Sequence, residues 1–267
     1  MKTIIAGTDF TSSSVNACKY AALLAQKLNC KLTIFNLFDA PIIHSNVGLY
    51  GISYTSTRKN SLVKTNKLIK QLNKFFPKVE INMFVTNGAF KDELETFTGS
   101  HRVEAAVMGL ETKNKISKFI YGSHGIDVAG KIDAPVIIVP ENYKKHKLDK
   151  VLLAVDNNEK LYKASLTVFE KFIRDSKTKL QLLHVRTQDE VFDPVTTSLK
   201  INAKKLQVEV IQSEDIQDGV RKYCRQEDID LVGLLSKKHT TFYNFFIESN
   251  TKKVAFAAKV PVMAIHE

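Results

Sequence analysis

The chain opens on a short apolar run ending in an acid, Ile4-Ile5-Ala6-Gly7-Thr8-Asp9, and Val151-Leu152-Leu153-Ala154-Val155-Asp156 repeats it 147 positions later. Short runs that are apolar throughout suit strands buried on both faces of a parallel sheet. After the first run come Thr11-Ser12-Ser13-Ser14 and then Ala17, Ala21, Leu24 and Leu28. These are the capping cluster and the three-and-four spacing of an amphipathic helix. Lys31-Leu32-Thr33-Ile34-Phe35 and Lys179-Leu180-Gln181-Leu182-Leu183 give matching second strands. Toward the far ends the offset shortens to 126. There Glu104-Ala105-Ala106-Val107-Met108 faces Asp230-Leu231-Val232-Gly233-Leu234, and Ala134-Pro135-Val136-Ile137-Ile138-Val139 faces Val260-Pro261-Val262-Met263-Ala264-Ile265.

The drop in offset leaves 21 extra residues in the middle of the first half. They are assigned between Phe38 and Asn60, where Pro41, Gly48, Gly51 and several Ser and Thr residues predict a loop. A loop of that length at the carboxyl ends of the strands is expected to act as a mobile segment or lid. Each half then alternates β-α-β-α-β-α-β-α-β. That order predicts an α/β fold of two tandem Rossmann-like domains, each a five-stranded parallel sheet with helices on both faces. The domains are expected at 1–143 and 149–267, with the boundary in the charged stretch Glu141–Lys150. Ligands of such sheets sit beyond the carboxyl ends of the strands where strand order reverses, the point that Asp9 and Asp156 occupy.

Composition bounds the class of function. The 267 residues are 44% apolar and 25% charged, enough for two ordinary domains with their own cores. No apolar run approaches the roughly 20 residues that cross a bilayer. Thr8 and Asp9 interrupt the opening run before a signal-peptide core can form, so a cytoplasmic protein without membrane contact is expected. Cys18, Cys30 and Cys224 form neither a disulfide framework nor a metal-ligand spacing, and read as small apolar residues. The net charge is +11, and residues 1–140 hold 17 basic and 10 acidic side chains, with no arm or tail that concentrates them. A solvated lysine-rich surface is favoured and nucleic acid is not expected, because no aromatic residues interleave the basic ones. His44, His101, His124, His146, His184, His239 and His266 are scattered. With no Ser-His-Asp order, paired carboxylates or metal-binding pair, neither catalytic residues nor metal ligands are assigned, and the chain reads as a binding protein rather than an enzyme.

Directly after the fourth strand stand Met108-Gly109-Leu110-Glu111-Thr112, nine residues, and then Gly122-Ser123-His124. Backbone N–H groups at a helix start can cradle a phosphate, and glycine lets the chain approach it closely. The alternative is that Gly122 and Ser123 only begin a helix and that Met108 is core packing. The arrangement resembles the universal stress protein family, over essentially the whole chain and twice over. Nucleotide-binding members of that family carry Gly, two residues, Gly, nine residues, Gly, then Ser or Thr. Gly109, Gly122 and Ser123 match, and Thr112 departs, a β-branched residue where the loop favours positive φ.

The resemblance implies domains like those of the adenine nucleotide alpha hydrolases and a site for ATP or AMP in the first half, with the role of Mg left open. Asp9 would meet the ribose or adenine, and Gly7 and Thr8 would line the pocket. Leu37 would meet the adenine through its backbone, and Met108 and Gly109 would flank the ribose and phosphates. Thr112, Gly122, Ser123 and His124 would hold the phosphates. The family also implies a stress-response role with a protein partner. Antiparallel pairing of the fifth strands, Val136–Val139 and Val262–Ile265, would dock the halves within the chain, and a further homodimer of tandem chains is the alternative.

The second half departs further. Gly109 becomes Leu235, Thr112 becomes Lys238, Gly122 becomes Glu248, and Ser249 alone survives. Phe242, Tyr243, Phe245 and Phe246 there read as packing against the neighbouring domain. A family member that binds no nucleotide and acts through protein contacts is the second reading. The Ser-Gly-Gly-x-Asp-Ser loop of ATP pyrophosphatases is absent, since Gly7-Thr8-Asp9-Phe10-Thr11-Ser12 stands in its place.

Overall fold

The computed structural model of the chain describes residues 2–38, 47–110, 134–155, 163–187, 198–201, 204–236 and 259–266. It divides into two units, Met1–Ile132 and Asp133–Glu267. The first contains β1 (Thr3–Gly7), α1 (Ser12–Leu28), β2 (Lys31–Leu37), α2 (Val47–Phe75), β3 (Ile81–Thr86), α3 (Phe90–Ser100) and β4 (Val103–Leu110). Its strands lie in the order β3-β2-β1-β4, all parallel. The chain walks from β1 outward through β2 and β3, then returns to the other side of β1 with β4. The strand order therefore reverses beside β1.

Both faces of this sheet are covered. Register sets Gly7 beside Phe35 and Phe35 beside Phe84, and the Phe97 ring of α3 meets those two rings edge-on at 6.0 and 5.2 Å. The opposite face carries Ile4, Ala6, Ile34 and Val107 under α1, whose Ala17, Ala21 and Leu24 are fully buried. Thr11 caps α1 by accepting from the Ser14 amide, and Asn29 ends it in the left-handed conformation with its N–H on the Ala25 and Gln26 carbonyls.

The segment expected to be a loop is, from Val47 onward, helix; residues 39–46 lie outside the described ones. α2 has 29 residues, about 43 Å of helix, against 7 residues in β2, about 23 Å. Its carboxyl-terminal half buries Ser61, Thr65, Leu68, Ile69 and Leu72 against the sheet. Once such an anchored stretch exists, each added residue gains a hydrogen bond without a new nucleus, so Gly48 and Gly51 are carried along. Tyr54 fixes the extension: its ring meets Phe38 at 5.3 Å and its hydroxyl donates to Asn87 Oδ1 at 3.0 Å.

The second unit contains β5 (Val136–Pro140), β6 (Lys150–Ala154), α4 (Lys163–Ser176), β7 (Lys179–Arg186), β8 (Ser198–Ile201), β9 (Lys204–Gln212), α5 (Ile216–Gln226), β10 (Leu231–Ser236) and β11 (Val262–His266). Its strand order is β5-β11-β10-β6-β7-β9-β8, parallel throughout except at the two edges. β5 runs antiparallel to β11, with Val262 beside Ile138 and Ala264 beside Val136, the strand pairing that the resemblance implies. β8 runs antiparallel to β9, a strand in the part of the repeat where alternation predicts a helix.

The charged stretch Glu141–Lys150 is tied down within this unit. Fully buried Asp230 accepts the Asp149 and Lys150 amides through Oδ2 at 2.9 and 3.1 Å. Lys145 and Lys147 both pair with Asp228, and Tyr143 donates to the Lys147 carbonyl. Those two hydrogen-bonded lysines hold the Asp228 carboxyl down to about 2. Among the described residues no helix is long and apolar enough to cross a membrane.

Candidate functional site

The carboxyl ends of β1, β2 and β4 bring together six of the residues singled out from sequence. Gly7 ends β1, Thr8 and Asp9 follow it, Leu37 ends β2, and Met108 and Gly109 lie one turn of the pleat before the end of β4. The register Ala6 beside Val107 sets Gly7 alongside Met108, on either side of the point where strand order reverses. Thr112, Gly122, Ser123 and His124 lie outside the described residues.

The turn after β1 is built from hydroxyls. Thr8 is fully buried; its amide donates to the Phe35 carbonyl at 2.9 Å, and its hydroxyl meets Ser14 Oγ at 3.1 Å and accepts the Phe10 amide at 3.0 Å. Asp9 Oδ1 accepts from the Thr11 hydroxyl at 2.6 Å and the Thr11 amide at 3.1 Å. Burial pushes the Asp9 carboxyl up, but hydrogen bonds from the Thr11 and Ser14 hydroxyls and the Thr11 amide outweigh it and leave it below its ordinary value. It is therefore an oriented, ionised acceptor beside the amino end of α1, where the helix dipole favours negative charge. Phe10 is held at φ 66°, a left-handed backbone that non-glycine residues adopt at a cost of about 1 kcal/mol or more. Lys64 of α2 sits 5.6 Å above its ring, within cation–π range.

Leu37 offers backbone rather than side chain. The Phe35 carbonyl faces β1, and two residues on the alternation turns the Leu37 N–H and C=O the same way, past the end of that strand. Met108 is 4% exposed, which suits core packing as well as a pocket wall. Gly109 has a packing reason of its own: a β-carbon there would lie 2.5 Å from the Ser13 carbonyl carbon and oxygen and 2.8 Å from the Ser14 nitrogen. Only glycine lets β4 meet the first turn of α1 backbone to backbone.

Asn36 escaped the sequence reading. It is 2% exposed, and its Nδ2 donates to the Thr8 carbonyl at 2.8 Å, clasping the turn after β1 to β2. The second unit repeats the clasp with His184, whose Nδ1 lies 3.0 Å from the Val155 carbonyl and so carries the proton. A polar residue at that place in both second strands, amid apolar neighbours, is the signal that was available. Cys18 lies within α1 beneath Thr8, fully buried, and its thiol is pushed up to about 12 by desolvation, so it is no nucleophile. Among the described residues no group of His, Cys, Asp and Glu is placed to hold a metal ion.

The model of the universal stress protein family matches residues 1–140 of the chain. No curated protein matches it by sequence. Among solved structures, a universal stress protein from Archaeoglobus fulgidus DSM 4304 is similar over 99% of this chain and 96% of its own, at 16% identity and a TM-score of 0.67. A functionally unknown protein from Pseudomonas aeruginosa PAO1 is similar over 99% and 92%, at 10% identity and a TM-score of 0.54. At these identities the two structures share the fold of the whole chain.

Proposed function

The chain belongs to the universal stress protein family, and on that premise we propose that its first half binds one adenine nucleotide, ATP or AMP, in a stress-response role as a sensor or regulator, while its second half binds none. The observation that carries the reading is Asp9: a half-buried carboxylate, ionised and held by Thr11, beside the reversal point of the sheet. In this reading Asp9 accepts from ribose hydroxyls or the adenine amine, and the Leu37 backbone pairs with the adenine edge. Gly7, Thr8, Met108 and Gly109 form the walls, and Thr112, Gly122, Ser123 and His124 take the phosphates. The domains are 1–143 and 149–267, the chain acts in the cytoplasm, and the activity is binding without turnover.

One observation favours the second reading, a protein-interaction module without nucleotide. Gly109 is accounted for by its contact with α1, so its presence alone does not call for a phosphate. Denaturing freshly purified protein and identifying released nucleotide by chromatography separates the two. About one adenine nucleotide per chain supports the first. None released, together with none bound on adding ATP or AMP, leaves the interaction module.

A further inference from the structure

From Val47 to Phe75, α2 carries Arg58, Lys59, Lys64, Lys67, Lys70 and Lys74 and not one acidic residue. Its charge of +6 compares with +7 for all of residues 1–140. In sequence the cations look dispersed; the fold gathers them. At 3.6 residues per turn, Lys59, Lys64, Lys67, Lys70 and Lys74 fall within an arc of about 140°, opposite the arc of about 100° that holds Ser61, Thr65, Leu68, Ile69 and Leu72. All five lysines are exposed and all five opposing residues are buried. The stripe runs about 22 Å along the helix axis.

A solvated helix normally relieves such charge with acids three or four residues away. α5 does so, with Asp218 pairing Arg221 and Lys222. α2 instead sets Lys64 against Lys67, Lys67 against Lys70 and Lys70 against Lys74 at those same spacings, each a repulsive pair. Apart from the Phe10 ring beneath Lys64, that repulsion is unrelieved among the described residues, and such a face is fitted to a partner that brings the anions.

We propose that the outward face of α2 binds the phosphate backbone of duplex nucleic acid without reading its sequence. Between the lysines, exposed Asn60, Asn66, Gln71 and Asn73 supply further donors of the kind that phosphates accept. Phe75, at the very end of the helix, is the one exposed aromatic residue from Lys59 onward, and a single ring is no platform for the successive bases of an unstacked strand. The apolar side of the helix is spent on the sheet, which removes the face that an amphipathic helix inserts into a bilayer. Val63, at 61% exposure, and Phe75, at 72%, are the two large apolar residues exposed from Lys59 to the end of the helix, too little for the apolar centre of a protein interface. Seated on the sheet, α2 lies along the backbone rather than entering a groove, which is why contact is with phosphates alone.

The proposal stands apart from nucleotide binding and is tested on the full chain with a fluorescein-labelled duplex DNA of random sequence, read by anisotropy. With five lysines on phosphates, log K is expected to fall with log salt at a slope of about −4.5. Lys67→Glu, Lys70→Glu and Lys74→Glu together should lower affinity about 30-fold or more near 50 mM salt and flatten the slope. The same change of charge at exposed Lys144, Lys179 and Lys205 should leave affinity within about threefold. Should the glutamate triple fail to fold by circular dichroism, the glutamine triple takes its place with the same direction expected. Equal losses in the α2 triple and the control triple overturn the proposal. So does binding to phosphatidylserine vesicles with no binding to duplex.

Discussion

The fourth strands of the two halves differ in where they place their glycine. In β4 it is Gly109, near the carboxyl end and pressed on the backbone of Ser13 and Ser14 in α1. In β10 it is Gly233, two repeat positions earlier, where a β-carbon would lie 2.5 Å from Cε2 of the Phe169 ring in α4. Leu235 stands at the repeat position of Gly109. The same architecture can thus seat its first helix by backbone contact at the strand end or by an aromatic ring deeper in the sheet. Backbone contact brings the helix's amino end to the mouth of the strands. The aromatic solution moves the close contact away from the mouth and fills the strand end with a half-buried leucine. That difference is the structural ground on which a nucleotide site is proposed for the first half alone.

Exchanging those residues gives the largest expected effect. Gly109→Leu forces the backbone of α1 to move, and urea unfolding should show a loss of about 3 kcal/mol or more. Leu235→Gly removes a half-buried side chain and should cost about 1–2 kcal/mol. Equal costs would remove the basis for treating the two strand ends as different.

A second comparison concerns Glu104 and Asp230, which occupy the same repeat position. Glu104 pairs at 3.4 Å with Lys2 and with Arg102 near the surface. Asp230 is fully buried on two backbone amides. Asp230→Ala strands those amides and should cost about 3 kcal/mol, whereas Glu104→Ala should cost about 1 kcal/mol or less. The clasps come next. Asn36→Ala and His184→Ala should each lose about 1 kcal/mol, and His184→Asn, which keeps an N–H for the Val155 carbonyl, should recover most of it.

Much of this was legible along the chain, for identifiable reasons. Apolar runs ending in Asp9 and Asp156, and the two offsets, carry the repeat because buried parallel strands tolerate few polar residues. The 21-residue insertion was located but not its form. Gly48, Gly51 and the hydroxyl residues signal a loop locally, while the helix there is propagated from Leu68, Ile69 and Leu72 and anchored by Tyr54. β8 was missed because a four-residue edge strand has no periodicity to speak of. At the candidate site, Asp9 was singled out as the end of the first apolar run and Gly109 by the glycine spacing. The packing of Gly109 on Ser13 is a tertiary contact that spacing cannot carry, and so is the gathering of lysines on one side of α2.

The smallest expected effect is a pH dependence. The Asp9 carboxyl lies below its ordinary value in the folded chain, so it stabilises the fold above its unfolded pKa, near 3.9, and that share is lost as pH falls through the lower folded value. Unfolding followed from pH 7 to pH 2 should show the wild type more stable than Asp9→Asn above about pH 4, with the gap closing below it. A gap that is unchanged down to pH 2 would mean that the Thr11 bonds do not depend on the charge.

The contrast between the halves is tested most directly by isothermal titration of the full chain with ATP and with AMP. One site per chain is expected, lost in Gly122→Glu, which copies Glu248 of the second half, and kept in Glu248→Gly. Two equivalent sites per chain, or binding that survives Gly122→Glu, would contradict a nucleotide site confined to the first half.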